Sequence, residues 1–583
     1  MDKQILCKPH SPLFFLRYIL LCCFLALPAM AQVEHVPIAN PVYDFLMHSE
    51  ARGALPRSFS SSSFPLQRKE IIAALREMRL RDSLQQGTLL SDAERSTLAG
   101  YEREFRIAAQ SRAVVFFSPS DSTQVLFERL FSNDDKFLTF YTDSSHTTNV
   151  SVLPLFSVNA RAQFSPNASN QAAFQTGIIA GYGGRIFGTI ENTLGFFLQA
   201  TSAARIQGER SFLLQDPDLV KNPTFRIFNP NFFNTAEASV RYDNRWFYAV
   251  LGREARQIGS GYFTRAMFSD NPIPASAITL GARFEGFEYR AMHFGLISDP
   301  LDLNGNINYN SYGAQTVLPP KFLAFHRAAL REEWGEIGVW ESMIYSGRGI
   351  EFAYITPFSF LKTNADDLRD RDNGLLGVDA TVRPFRGLQL KGNFTLDDIE
   401  FGKLFEGWWQ NKIAWNLGAM VSPAGLPLDA TLEYALVAPY MYTHFDPQNV
   451  LTQDGILFAG YLPPNSDELK AQARWWWGGR YPVALTAAFR RHGANIYDAQ
   501  GKLLRNVGGD VRQTLRRDAN NNFIDSQTIT FLDGNRQDRL IITLSAGFEL
   551  ARQWNLQLVY RANSLNAAPL VHFVGCTVRF EDF

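Results

Sequence analysis

"IITLSAGFELARQWNLQLVYRAN" occupies residues 541–563, and the parity of its side chains decides the fold. Ile542, Leu544, Ala546, Phe548 and Leu550 fall on one parity, and Thr543, Ser545 and Glu549 on the other. After the link Ala551–Gln553 the pattern restarts, with Trp554, Leu556, Leu558 and Tyr560 against Asn555, Gln557 and Arg561. A side-chain period of two means a β-strand with one apolar and one polar face. A link this short joins the two strands as an antiparallel hairpin. Each strand has about the 9–11 residues that a tilted strand needs to cross a bilayer.

The pattern recurs back along the chain. Leu388, Leu390, Phe394 and Leu396 alternate with Gln389, Lys391, Asn393, Thr395 and Asp397, and Ile278, Leu280 and Phe284 oppose Thr279, Arg283 and Glu285. Working back from the C-terminus, the alternation predicts strands near 571–583, 554–563, 538–550, 481–491, 470–477, 429–443, 412–421, 388–398, 375–383, 337–357, 321–333, 287–298, 275–284, 245–257, 234–242, 190–204, 171–187 and 148–163. That is an even number, eighteen. The last strand ends at Phe583, which is out of step with His572, Val574, Cys576, Val578 and Phe580. The links alternate in length: Glu285-Gly286, "PFRG" (384–387), "GGR" (478–480) and "ARQ" (551–553) are short, whereas 205–233, 299–320, 444–469 and 492–537 are long. Short turns on one side and long loops on the other are the mark of an outer-membrane barrel. The expected fold is therefore mainly β: a transmembrane antiparallel barrel of about eighteen strands over 148–583, its C-terminus periplasmic.

The N-terminal quarter reads differently. Lys3, Lys8 and Arg17 precede the apolar run Tyr18–Leu27, and Ala29-Met30-Ala31 ends it, so residues 1–31 read as an export signal. "PLQRKEIIAALREMRL" (65–80) puts Leu66, Ile71, Leu75 and Met78 near helical spacing, and Ser91 with Glu94 three residues later forms a capping box. Residues 32–110 are read as a small periplasmic helical unit and 111–147 as a short extended connector. Without the signal, Cys576 is the sole cysteine, which excludes an intrachain disulfide or a Cys-based metal site. A formal charge of −1 gives no reason to expect nucleic acid as a partner.

No chemistry-bearing motif emerges. The nine His residues include no His-x-x-x-His pair, and Gly-x-Ser-x-Gly is absent. Gly259-Ser260-Gly261 reads as a turn in a loop. "DANNNFID" (518–525) begins like a calcium loop but lacks its Gly and its closing Glu. No catalytic residue, metal or cofactor is expected. Trp408 and Trp409, beside Lys403 in an outer loop, are candidates for stacking on sugar faces, with Arg512, Arg516 and Arg517 for acidic sugars. The triple Trp475–Trp477 next to the "GGR" turn reads as an interfacial girdle.

In "WGEIGVWESMIYSGRGIEFAYITPF" (334–358), Glu341 would be expensive against lipid, so its parity is expected to face the lumen together with Ile337, Val339 and Met343, leaving Trp340 and Ile344 to face lipid. Arg253, Arg283, Glu288, Arg290, Arg348 and Asp379 are candidates for the same lumenal charge lattice.

Several stretches, in order, resemble the Wzi capsule-assembly family: "PVYDFLMHSEARGALP" (41–56), "PLQRKEIIAAL" (65–75), "LGREARQIGSG" (251–261), "SDNPIP" (269–274), and the run from His326-Arg327 through Glu341, Tyr345 and Gly347-Arg348 to Thr356-Pro357-Phe358. Thr356 stands where Asn is commoner in the family. The resemblance implies an outer-membrane barrel with a periplasmic helical bundle and a lectin-like, non-enzymatic role in holding capsular or other surface polysaccharide. A periplasmic export or assembly partner would dock on the helical unit. The alternative is a channel or porin for solute or polysaccharide passage.

Overall fold

The computed structural model describes residues 32–581 except 57–58, 106–127, 129–130, 133–137, 143–146, 166–173, 230 and 302–315. The signal at 1–31, most of the connector and Phe583 lie outside the described residues.

Eighteen antiparallel strands close into one barrel. They are β1 Asn149–Phe164, β2 Phe174–Ile190, β3 Leu194–Gln207, β4 Phe232–Asp243, β5 Phe247–Glu254, β6 Ala275–Phe284, β7 Phe287–Leu296, β8 Lys321–Glu332 and β9 Gly335–Ser346. The second half is β10 Asn373–Phe385, β11 Leu388–Asp398, β12 Lys412–Val421, β13 Leu428–Val437, β14 Ser466–Trp475, β15 Val483–Ala494, β16 Asn535–Ala551, β17 Trp554–Leu565 and β18 Val571–Phe580. β18 pairs with β1, His572 opposite Phe164, so the barrel has no free edge between first and last strands. A short strand, Leu138–Thr142, pairs with the start of β1.

The predicted spans 275–284, 388–398 and 412–421 coincide with observed strands. One span is wrong. The predicted strand 337–357 stops at Ser346, and the chain then turns at Gly347 and forms short helices at Phe352–Ile355 and Leu361–Asp367. Outside the barrel wall, these helices pack Tyr354, Leu361 and Ala365 on Ala324, Met343 and Tyr345.

The outer face of the wall carries exposed apolar side chains, among them Leu251, Leu417, Leu432, Leu469, Leu485 and Leu544. A closed barrel with such a band satisfies every strand hydrogen bond internally and can face lipid. Among the described residues no helix is long and apolar enough to cross a membrane.

Three helices, α1 Val42–Ala51, α2 Arg68–Leu84 and α3 Asp92–Phe105, sit at the end with the short turns. Ser91 and Glu94 form the predicted box: Ser91 N donates to Glu94 Oε2 at 2.7 Å and Glu94 N to Ser91 Oγ at 3.3 Å. Ile71, Leu75, Met78 and Leu98 bury one face of the unit against α1. The unit is bound to the turns of the barrel. Ala51 O accepts from Gly387 N at 2.9 Å, and Tyr101 Oη donates to Arg480 O at 2.8 Å. Of the triple Trp, Trp475 and Trp477 stay exposed, as a girdle requires. Trp476 instead turns inward, fully buried, packing on Phe45 and donating Nε1 to Asp429 Oδ2 at 2.9 Å.

Three segments fill the barrel beside β7–β14: residues 60–64, 257–268 and 441–462. Ser63 and Phe64 pair with Ile258 and Gln257 inside the lumen. The predicted turn Gly259–Gly261 is the inner tip of this insertion. Gly259 takes a φ of +104°, and a Cβ there would sit 2.5 Å from Asn393 Nδ2, so the tip requires glycine. Phe268 then packs its ring against Phe294, Phe325 and Phe458 at 4.8–5.5 Å between centroids.

Candidate functional site

The lumenal wall near the helical unit is a charge lattice. Glu288, Arg290 and Asp379 lie along it. Arg290 Nη2 donates to Glu288 Oε1 at 2.8 Å, and Tyr248 Oη donates to the same oxygen at 2.6 Å. Arg327, buried, forks between Glu336 at 2.6 Å and both oxygens of Asp379 at 2.7 and 2.9 Å. Arg331 bridges Glu336 and Glu288. The inserted segment closes the lattice: Ser62 donates to Glu336, and Ser260 Oγ to Asp379 Oδ1 at 3.1 Å. Sequence reasoning did not place Arg327, Arg331 and Glu336 in this lattice, although alternation on β8 and β9 puts them on one face. Arg283 joins a second cluster, donating to Asp243 Oδ2 at 2.6 Å and to Glu70 Oε1 of α2 at 3.1 Å. It ties barrel to helix.

Three residues assigned to the lumen are not there. Glu341 shares its parity with exposed Ile337 and Val339, so the expected orientation of β9 is inverted. Trp340 and Ile344 point inward, into the aromatic cluster around Phe268. Glu341 avoids lipid because the helix Leu361–Asp367 covers it: Leu361 N donates to Glu341 Oε2 at 3.0 Å, and His326 Nδ1 lies 3.1 Å from Oε1. Arg348 lies beyond the strand and makes a two-pronged pair with Asp372 at 2.9 and 2.5 Å. Arg253 shares its parity with exposed Leu251 and faces outward, while its neighbour Glu254 is the inward residue, paired with Arg256 at 2.9 Å.

At the opposite end the long loops build a crown. Trp409 N donates to Gln527 O at 3.0 Å and Ile529 N to Gly407 O at 2.8 Å, so the two segments predicted to contact sugar form one unit. Trp408 stays half-buried with the Lys403 ammonium 3.8 Å from its ring centroid. Trp409 is half-buried too, against Tyr440 and Phe523. Arg516 is held inside its loop by both oxygens of Asp525, at 2.8 and 2.6 Å, and by the Leu503 and Leu504 carbonyls. Arg517 stacks 3.7 Å over Phe523. Asp518 is engaged by its own turn, accepting from Asn520 N at 2.9 Å and Asn522 N at 2.8 Å.

Arg512 lies elsewhere, beside Asp510 on the rim of a cleft of about 540 Å³. Arg226, Asp454, Tyr461, His492 and Tyr497 line the rest. Arg226 donates to Asp454 Oδ2 at 2.6 Å. The Asp299 carboxylate, also in this lining, has no hydrogen-bond partner among the described residues, and burial raises its pKa. Desolvation of this kind favours the neutral acid. The cleft thus offers carboxyl groups, guanidinium groups and tyrosine faces in one concavity.

No protein-family model matches the chain, and no curated protein matches it by sequence. Among solved structures, it is similar to an Escherichia coli protein, Wzi, described as an outer-membrane protein involved in group 1 capsule assembly and as a carbohydrate-binding β-barrel; the TM-score is 0.54 at 13% identity, covering 94% of this chain and all (100%) of that one. It is less similar to a BenF-like porin from Pseudomonas fluorescens, with a TM-score of 0.41, 7% identity and coverage of 74% and 98%. The OccD1 (OprD) structure gives 0.40, 12%, 77% and 98%. At these identities the likeness concerns the fold.

Proposed function

We propose that this chain is an outer-membrane barrel that binds or organises an exported capsular or surface polysaccharide at the cell surface, without catalysing a reaction. In this reading the short turns and the helical unit lie in the periplasm, where the unit can meet an export or assembly partner, and the crown faces outward. The observation that carries it is that one side of the lumen beneath the crown is filled: the insertion at 257–268 and the segment at 60–64 occupy the barrel beside β7–β14. A ligand reaching the cleft from outside meets packed protein along that wall. Likeness in fold to a carbohydrate-binding barrel supports the same reading. Sugar contacts would fall to Trp408 with Lys403 and to Arg512, whereas Arg516 and Arg517 shape their loop. Each contact is weak, and a repeating polymer sums them.

The second reading, a channel, has one observation in its favour. Inward positions on β15–β18 stay partly exposed. The experiment is single-channel conductance of the refolded protein in a planar bilayer, with and without the host's surface polysaccharide, beside a gene deletion. A non-conducting barrel whose loss sheds polysaccharide into the medium supports anchoring. Large, steady conductance with no shedding puts the channel first.

A further inference from the structure

The partly exposed wall has a sign. Its inward positions include Arg490 on β15, Arg539 on β16 and Arg561 on β17, and the row ends at Arg161 on β1, which is buried. Arg490 and Arg539 are direct cross-strand partners. Like charges placed so are unfavourable in a sheet, and they persist where something else answers the charge. Arg490 has Glu468 at 2.8 Å and Arg161 has Asp216 at 2.7 Å. Arg539 and Arg561 have no carboxylate within ion-pair distance among the described residues. The Arg561 Nε is buried without a hydrogen-bond partner, and its guanidinium lies 4.6 Å from the Phe573 ring centroid. Arg490 stacks at 4.8 Å on Tyr461, which lines the cleft at the mouth, so the arginine face continues that cleft inward.

We infer that Arg539 and Arg561, flanked by Arg490 and Arg161, form a binding track for carboxylate-bearing groups, and that the polysaccharide this barrel holds is acidic. The inference rests on the polysaccharide reading and names its substrate class. Guanidinium groups bind carboxylates through two parallel N–H···O bonds, which lysine does not reproduce. Arg539 is exposed, and Arg561 lies opposite Thr543 with Gln557 on the same face; the carboxylate acting on Arg561 is Asp216, which is itself paired with Arg161.

The test uses the full-length protein in lipid nanodiscs and calorimetric titration with three probes: an oligogalacturonate, neutral dextran, and the host's surface polysaccharide. Variants are R539Q/R561Q and R539K/R561K, with barrel closure checked by the heat-dependent electrophoretic shift. Wild type should bind oligogalacturonate but not dextran, and more weakly as salt rises. The Gln pair should lose at least about tenfold in affinity, and the Lys pair should recover only part of it. Equal binding of oligogalacturonate by wild type and the Gln pair, or none by wild type, overturns the track. If the surface polysaccharide still binds in that case, the polysaccharide reading survives without it. If oligogalacturonate binds through the arginines while surface polysaccharide does not, the anion track stands and the polysaccharide reading falls.

Discussion

The two walls of the barrel were built from the same alternation and ended differently. On β8–β13 the inward Arg327, Asp379, Gln389, Lys391, Thr395, Asn416 and Glu433 are all buried, because inserted chain covers them and supplies their partners. Lys391 Nζ donates to Ser61 Oγ at 2.6 Å, and Glu433 accepts from the backbone N–H of Tyr262, Phe263 and Thr264 at 2.6–3.2 Å. On β15–β18 the inward Arg539, Thr543, Ser545, Gln557 and Thr577 keep part of their surface exposed. A polar strand face therefore says only that a residue avoids lipid. Whether it meets protein or water depends on what the loops put opposite it. The first wall is packed against inserted chain, and the second keeps polar side chains partly open to the lumen.

The largest effect should come from breaking the structural wall. Arg327→Ala strands two buried carboxylates, and losing one member of such a network costs about 3–5 kcal/mol. Urea unfolding of the folded barrel in lipid should show it, while Arg539→Ala on the other wall should cost under about 1 kcal/mol. Equal losses would erase the contrast.

Phe268→Ala removes the ring at the centre of the insertion and should cost about 3–5 kcal/mol at most, less where the cluster collapses. It should also raise bilayer conductance if the insertion is what fills the lumen. A destabilised but silent barrel would mean that other segments seal it.

Acid should loosen the helical unit before the barrel. Burial pushes Glu94 up, but the hydrogen bond and charge of His48, with Arg52, outweigh it and hold Glu94 at about 2. Its contribution is present above the free value of 4.5 and fades as pH falls towards 2. Burial lowers His35 to about 4, so its neutral form is favoured in the fold, and that contribution is lost as pH falls from 6.5 to 4. Both signs agree. Protease cleavage between α1 and α3 should rise below about pH 6 with the strands still protected. Simultaneous loss of both would contradict it.

The smallest effect concerns the outside of the wall. Glu341→Gln keeps the shape but weakens the bond to Leu361 N, by roughly 1 kcal/mol. Faster hydrogen exchange confined to residues 352–367 is the expected sign. An unchanged rate would mean that the apolar contacts of Tyr354 and Leu361 hold the cover alone.

Legibility in the sequence followed range. α3 was readable because Ser91 and Glu94 carry their own cap. The orientation of β9 was not, because a charge on a strand is expected to avoid the outer face. Glu341 lies on that face and escapes lipid only through residues twenty positions away. Arg516, expected to meet sugar, is instead paired with Asp525, nine residues on.

By itself, then, the sequence determined the strand number, the segregation of short turns from long loops, the helical unit and the Ser91–Glu94 cap, because periodicity, turn chemistry and capping act within a few residues. Only the tertiary structure decided which wall is filled, which arginines lack an ion pair among the described residues and which carboxylate is sheltered outside. Each of those depends on chain brought in from far along the sequence, and no local pattern encodes what will lie opposite a polar face.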